Sequence, residues 1–516
     1  MAAPAQAQGL LPAYGTDVRV GDLRQQFSRM NDAGPKTLSE RAWTFSPAIA
    51  ITETYDSAIQ LPGGRGRDYT TRITPTFAGT VDTQRLKGEL NYSPTYNLYA
   101  LHGSESGLSH NLNANATGTL VPDLLFANLT GYAATQPLLG TAAPSNAPSG
   151  RVNEVQTAHF SGGPYIQKRL SDFAIVSAGY TISRTTMTSL APRATAATVP
   201  GVNSNFSSQQ ENASIATGPD FGRINASLAA MATQYEGAGV YRGAHNETVT
   251  ASTAYAITRA VTATGSIGHE TIVYGPGGPK AIDGITWSGG FMLTPNADST
   301  LNLKYGHQQG ASSFSFDGNY ALTSRLRLLA RYSQGVGTNL QNLQSALAGT
   351  TTGPAGIAVD RTTGAPVQLG NSIGQQPGVY RTTIASVSAA YQIDRDVISL
   401  DWSSSEQVLL SGSGASSASS SAAAGFGSNT STTMSAAWQH NLSEALNSSL
   451  SLQYGTRSYP GARGESETAT ISLAVNYVVS ETISTNALVS HAQTKGKTVG
   501  LAPVRDYALV GVRKAF

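Results

Sequence analysis

The 516-residue chain has no cysteine. That excludes disulfides, thiolate zinc sites, thioether-linked haem and cysteine nucleophiles. Charge is scarce as well: Asp, Glu, Lys and Arg make up 12% of the residues, about half the ~25% usual in soluble domains. The signs nearly cancel, with 33 basic residues against 31 acidic, so there is no electrostatic footprint for nucleic acid. No apolar run approaches the ~18 residues that a membrane helix requires. Strong hydrophobes do not make up the deficit, because hydrophobic residues are only 40% and the mean hydropathy is −0.16. Ala, Ser, Thr, Gly, Asn and Gln fill the chain instead. This composition disfavours a helix bundle, a coiled coil and an ordinary soluble α/β enzyme. The membrane architecture it leaves open is a closed β-barrel.

What the chain does have is a period of two. Tyr69, Ile73, Phe77 and Val81 alternate with Thr70, Arg72, Thr74 and Thr80. Leu86, Leu90, Tyr92, Tyr96 and Leu98 alternate with Lys87, Glu89, Asn91, Ser93 and Asn97. The same pattern sets Leu326, Leu328 and Tyr332 against Arg327 and Arg331, Leu450 and Leu452 against Ser449 and Ser451, and Ile471 and Leu473 against Ser472. Alternation this long means strands longer than the usual 5–6 residues. The polar face is mostly Ser, Thr, Asn and Gln, the composition of a hydrated lumen rather than of a soluble sandwich.

The joins alternate too. Short turn signals stand at Thr83-Gln84, Pro122-Asp123, Ser171-Asp172, Thr258-Arg259, Asp394-Arg395, Ser443-Glu444 and Ser480-Glu481. Longer Gly- or Pro-rich connections fall between them, among them Gly103–Gly107, Gln136–Arg151, Ser189–Asn205, Gln308–Ser312, Gly335–Pro377 and Gly412–Ser428. Short turns on one side and long loops on the other predict an all-β, antiparallel transmembrane barrel of about 22 strands, within 20–24, over residues 42–516. The localisation that follows is the outer membrane of a Gram-negative bacterium, with its lipid bilayer as partner.

The C-terminal segment ends in Phe516, with Val512, Val510 and Ala508 at alternate positions, and resembles the strand that barrel-assembly machinery reads. Lys514 departs from that pattern. Residues 1–41 do not fit the barrel and are expected to form an N-terminal periplasmic extension. Ala5-Gln6-Ala7 resembles the end of a signal peptide, marking either a truncated start or a nearly mature chain. Val20, Leu23 and Phe27 share a face of one short helix.

Catalytic motifs are weak. Gly370-Asn-Ser372-Ile-Gly374 matches G-x-S-x-G, but no buried strand precedes it and no helix follows. Gly496-Lys497-Thr498 has His491 where a phosphate loop needs glycine. The eight histidines show no metal-ligand spacing. The expectation is therefore a non-enzymatic protein with no metal and no cofactor.

By parity, Arg72, Lys87, Glu89, Lys304, Arg327 and Arg331 face the lumen. Lys87 and Glu89 either neutralise one another in a wet pore, or the arginines bias the pore toward anionic or hydroxyl-rich solutes. Within the longest connection, Leu340, Leu343 and Leu347 share one face of a predicted short helix. That connection is expected to fold inward as a constriction or outward as a lid.

Four segments carry a family resemblance: Trp43–Tyr55, Asp68–Pro75 with its Ile73-Thr-Pro75, Leu90–Tyr96 with its Tyr92-Ser-Pro-Thr-Tyr96, and a helix-like Leu124-Leu-Phe126. They are similar to an outer-membrane family associated with PEP-CTERM/exosortase and exopolysaccharide systems. The resemblance implies a barrel that exports or displays extracellular polysaccharide, with polysaccharide and secretion-system components as partners. It implies no catalytic residues. A general or selective diffusion porin and a structural barrel without an open pore stand as the alternatives.

Overall fold

The computed structural model describes residues 42–61, 64–137, 151, 154–190, 204–341, 350–352, 358–360, 378–411, 428–459, 464–496 and 503–516. The N-terminal segment 1–41, with its expected helix, lies outside them, as do Leu343, Leu347 and the Gly370–Gly374 motif. The first strands are β1 (Trp43–Leu61), β2 (Gly64–Asp82), β3 (Leu86–Tyr99), β4 (Gly107–Val121), β5 (Leu125–Pro137) and β6 (Glu154–Leu170). Then follow β7 (Ala174–Ser189), β8 (Ser204–Thr217), β9 (Ile224–Gly237), β10 (His245–Ala256), β11 (Val261–Val273) and β12 (Ile282–Leu293). The ring continues through β13 (Thr300–Gln308), β14 (Ala311–Ala321) and β15 (Leu326–Thr338). A detached hairpin comes next, β16 (Thr350–Thr352) with β17 (Ala358–Asp360). The ring resumes with β18 (Val379–Ile393), β19 (Asp396–Ser411), β20 (Asn429–Asn441), β21 (Leu446–Tyr459), β22 (Gly464–Val478), β23 (Ile483–Gly496) and β24 (Val504–Ala515).

Neighbours in sequence pair antiparallel, and β1 pairs with β24, so the sheet closes into a 22-stranded barrel. Closure removes the edges that an open sheet would expose. The seam also carries an ion pair. Arg505 Nε on β24 donates to both carboxylate oxygens of Asp56 on β1 at 3.0 and 3.2 Å, and Asp56 is 1% exposed.

The pleat sorts the side chains as the sequence period requires. Leu90, Phe291, Leu452, Leu473 and Val489 project outward and are exposed. Facing the lumen, hydroxyls pair across strands: Ser177 with Ser214 and Ser266 with Ser288 at 2.7 Å, Ser472 with Ser490 at 2.9 Å, Thr74 with Thr95 at 3.0 Å. These pairs satisfy polar groups that a hollow wall would otherwise leave to water alone.

One end of the barrel carries the short turns, and several share a device. A hydroxyl at the turn start accepts the backbone N–H three residues on: Thr83 from Leu86, Thr258 from Val261, Thr323 from Leu326, Ser443 from Leu446, Ser480 from Ile483, at 2.9–3.2 Å. The hydroxyl stands in for a backbone partner, which is why Ser and Thr recur there.

Two sequence expectations are corrected. Gln308–Ser312 is not a long connection but a two-residue hairpin turn, with Gln309 at φ 52° and Gly310 at φ 69°. Two consecutive left-handed residues match the strand twist, and Gly310 adopts its share without penalty. Leu124–Phe126 is not helix-like: residue 124 closes a tight turn and β5 begins at Leu125.

Candidate functional site: the loop-end mouth

The connection after β15 turns into the barrel. Its first residues are held by a capping box. Gln341 N–H donates to Thr338 Oγ1 at 3.1 Å, and Thr338 N–H donates to Gln341 Oε1 at 2.9 Å. This reciprocal pair starts the helical turn at residues 339–341. The signal, Thr338-x-x-Gln341, was in the sequence and was missed.

The turn is anchored on two sides. Leu340, 5% exposed, joins a buried cluster with Tyr132 and Ala134 of β5, Phe206 of β8 and Tyr241 of the β9–β10 loop. The Phe206 and Tyr241 rings stack with centroids 4.1 Å apart, and the Tyr241 hydroxyl shares a hydrogen bond of 2.7 Å with Thr338 Oγ1. Burial pushes the Tyr241 hydroxyl pKa up, against the lowering by Thr338, so it stays protonated. On the other side Gln407 of β19 donates to Asn339 Oδ1 at 2.8 Å, and Asn429 of β20 donates to Gln407 at 3.2 Å. Gln407 is fully buried. Further along, β16 lies against β3 and β4, about half way round the ring from β15. The chain therefore spans the mouth of the barrel.

The predicted charged residues all lie on inward-facing register positions, but on two separate arcs. Arg72, Lys87 and Glu89 belong to β2 and β3, while Lys304, Arg327 and Arg331 belong to β13 and β15. Lys87 forms its ion pair with Asp82 at 3.4 Å, both well exposed near the turn end, rather than with Glu89. Glu89 instead accepts from Asn115 at 2.7 Å. Arg331 stands opposite Asp317 in register, and Arg327 is buried. Lys304 is exposed to the lumen. No group of three or more His, Asp or Glu able to hold a metal occurs among the described residues.

At the chain end, Val510, Val512 and Phe516 are exposed on the outer face, with the Lys514 ammonium 5.4 Å from the Phe516 ring centroid. Lys514 thus departs from the apolar pattern without a buried charge.

Residues 398–516 match the family model described as "Putative beta-barrel porin 2". No curated protein matches the chain. Among solved structures, the ferric-catecholate import receptor Fiu from E. coli K12 in its closed form is similar at TM-score 0.50 and 12% identity, covering 91% of this chain and 81% of that one. The siderophore receptor PirA from Acinetobacter baumannii gives TM-score 0.48 and 10% identity, covering 92% and 81%. OprD from Pseudomonas aeruginosa gives 0.33 and 9%, covering 92% and 95%. At these identities the likeness to Fiu speaks for the fold alone. This chain is a closed outer-membrane β-barrel whose last strands match a porin family model. Its outer face meets lipid, and by the general rule for such barrels the turn end is periplasmic and the loop end extracellular.

Proposed function

We propose that the protein is a non-enzymatic diffusion channel for small hydrophilic solutes, narrowed at its extracellular mouth by the chain that follows β15. The observation that carries this reading is the burial of Leu340 in the cluster with Tyr132, Phe206 and Tyr241. A loop that was merely a surface platform would have no reason to dock its apolar residue inside the mouth. Cross-paired serines and threonines along the wall support passage of hydroxyl-rich solutes, because they present hydrogen-bonding groups without strong fixed charge. Lys304, Arg327 and Arg331 on one arc add a basic surface, with Asp317 as the nearby counter-charge.

Export of a polysaccharide chain is the finer reading that the family resemblance implies. A long polymer would need the crossing segment withdrawn, whereas small solutes can pass beside it. The outward Val510, Val512 and Phe516 support recognition of the last strand by assembly machinery from the lipid side. The test is single-channel conductance in planar bilayers, coupled to liposome swelling with neutral sugars of increasing size. Steady conductance with a sharp size limit is the expected result. No conductance would leave a structural barrel without an open pore, and uptake of large dextrans with no size limit would favour the polymer reading.

A further inference from the structure

We infer that the wall between β14 and β15 holds a side window, through which a single-chain amphiphile with an anionic head passes between the outer leaflet and the lumen. The ladder of these two strands ends at Phe316↔Tyr332. Both strands continue past that pair, β14 back to Ala311 and β15 on to Thr338, and each keeps its other neighbour. Ala311 pairs with Gln308 of β13, and Thr338 with Val379 of β18. Between the two strands, Ala311–Ser315 and Ser333–Gly337 face one another without pairing. No proline interrupts either segment.

Other interruptions of the ring are repaired. Pro75 and Pro94 at β2–β3, and Pro164 at β6–β7, lack the N–H that a ladder needs, and pairing resumes above them at Ile73↔Tyr96 and Gly162↔Ile182. The β4–β5 ladder stops at Leu112↔Ala133, but the Gln156 carboxamide fills the gap. It accepts from the His110 N–H at 2.8 Å and donates to the His110 carbonyl at 2.9 Å. Where β24 meets the bulged end of β1, Arg505 reaches Asp56, and Asp506 N–H donates to Ser57 Oγ at 2.8 Å. At β14–β15 one bond stands in for the rungs: Val336 N–H donates to Gln309 Oε1, at the hairpin tip, at 2.7 Å. Among the described residues no bond returns from the Gln309 amide. The window is therefore framed by Phe316 and Tyr332 below and by Gln309 and Val336 above.

Its depth fits the outer leaflet. Ser333 and Gly337 stand seven and eleven residues beyond Leu326, the turn end of β15. At ~3.4 Å per residue and a tilt of ~40°, that is roughly 18–29 Å up, the top of an apolar band ~25 Å tall and the headgroups above it. The window also lies below Thr338–Leu340, where the chain turns inward, so this route meets the lumen beneath the narrowing. Its two sides differ in chemistry. Outside, Phe314, Phe316 and Tyr332 hold lipid-facing register positions, with the Phe314 and Tyr332 ring centroids 6.2 Å apart. Inside, Ser313, Ser315 and Ser333 border the window, and Lys304, exposed to the lumen, is the register partner of Ser315. The rings suit an alkyl tail, and the hydroxyls and the ammonium suit an anionic head.

The absence of cysteine makes a clean test. Ser313→Cys with Gly335→Cys puts thiols where an unbroken ladder would set them opposite one another, so oxidation staples the window shut and reductant reopens it. Ser472→Cys with Ser490→Cys, on an intact ladder, is the control staple. Proteoliposomes holding serum albumin receive hexadecyl sulfonate from outside, and swelling with neutral sugars is measured in parallel. The parent chain should load the albumin several-fold faster than protein-free vesicles do. The oxidised window staple should cut loading to the protein-free rate, recover it on reduction and leave sugar swelling at the parent level. The control staple should change neither. Lys304→Gln should lower the preference for hexadecyl sulfonate over hexadecyltrimethylammonium several-fold, and an unchanged preference would overturn the anionic head. Should the stapled variant fail to assemble, amide exchange in the parent decides. Phe314 and Gln334 should exchange within minutes, while Tyr320 and Leu328, paired lower on the same strands, stay protected for hours. Equal protection at all four, or loading unaffected by the oxidised staple, would overturn the window. Albumin loading without sugar swelling in the parent would overturn the channel reading and leave the window standing.

Discussion

Replacing Leu340 by alanine should loosen the crossing segment without harming the wall. Leu340 is 5% exposed and packed among Tyr132, Ala134, Phe206 and Tyr241. Truncating a buried leucine costs about 2–5 kcal/mol, partly lost transfer energy and partly the cavity left behind. Here that cost falls on docking of the segment, because β15 keeps its ladder to β14 up to Tyr332 and to β18 up to Thr338. At about 1.4 kcal/mol per factor of ten, the docked-to-undocked ratio should fall roughly 30-fold to several thousand-fold. Adding Asn339→Ala strips Gln407 of a partner at a fully buried site, worth about 1–3 kcal/mol more. The readout is single-channel recording. The parent should dwell in a narrow state, and Leu340→Ala should visit a wider state for much longer. The double variant should rest in the wider state. Replacing Asn339–Gly374 by a short Gly/Ser linker should abolish the narrow state. Heat-modifiable gel mobility should be unchanged throughout. If conductance and dwell times are the same in all four proteins, the segment does not control passage and the constriction lies in the wall.

Leu473→Arg should impair assembly, since a charge at the bilayer midplane costs up to ~2–4 kcal/mol, whereas Ser472→Arg, one residue away and facing the lumen, should be tolerated. Equal effects in an assembly assay would mean the register is wrong. Asp56→Ala removes the carboxylate that holds Arg505 at the closing seam and should destabilise the barrel by up to about 3–5 kcal/mol, read as an earlier heat-induced mobility shift. Glu105, in the loop before β4, is buried with neither carboxylate oxygen hydrogen-bonded, and burial raises its pKa against the pull of Arg151. A raised carboxylate pKa stabilises the fold below the unfolded-state value, and that gain is lost as pH climbs through the folded-state value. Glu105→Gln should therefore slow amide exchange in residues 100–106 at neutral pH and change nothing in acid. Faster exchange at neutral pH would show that the charge is accommodated.

Alternation was enough to read the faces of β2, β3, β15, β21 and β22, because the pleat assigns sides locally and needs no knowledge of distant chain. Arg72, Lys304, Arg327 and Arg331 could be put on inward positions for that reason, and Ser443 or Ser480 at a turn for a similar one, since a hydroxyl three residues before the next strand supplies its own hydrogen bond. Connection length was less certain: Gln308–Ser312 looked long from its glycine, but two left-handed residues suffice when the flanking strands keep their twist. What no local pattern could disclose is which distant side chains meet. Asp56 and Arg505 come together 449 residues apart because ring closure sets the last strand beside the first. Leu340 finds Tyr132, Phe206 and Tyr241 on three separate segments because the curvature of the closed wall brings those segments to one mouth. A residue's side of the sheet is decided by its own pleat, whereas its neighbour across the lumen is decided by the shape of the whole ring.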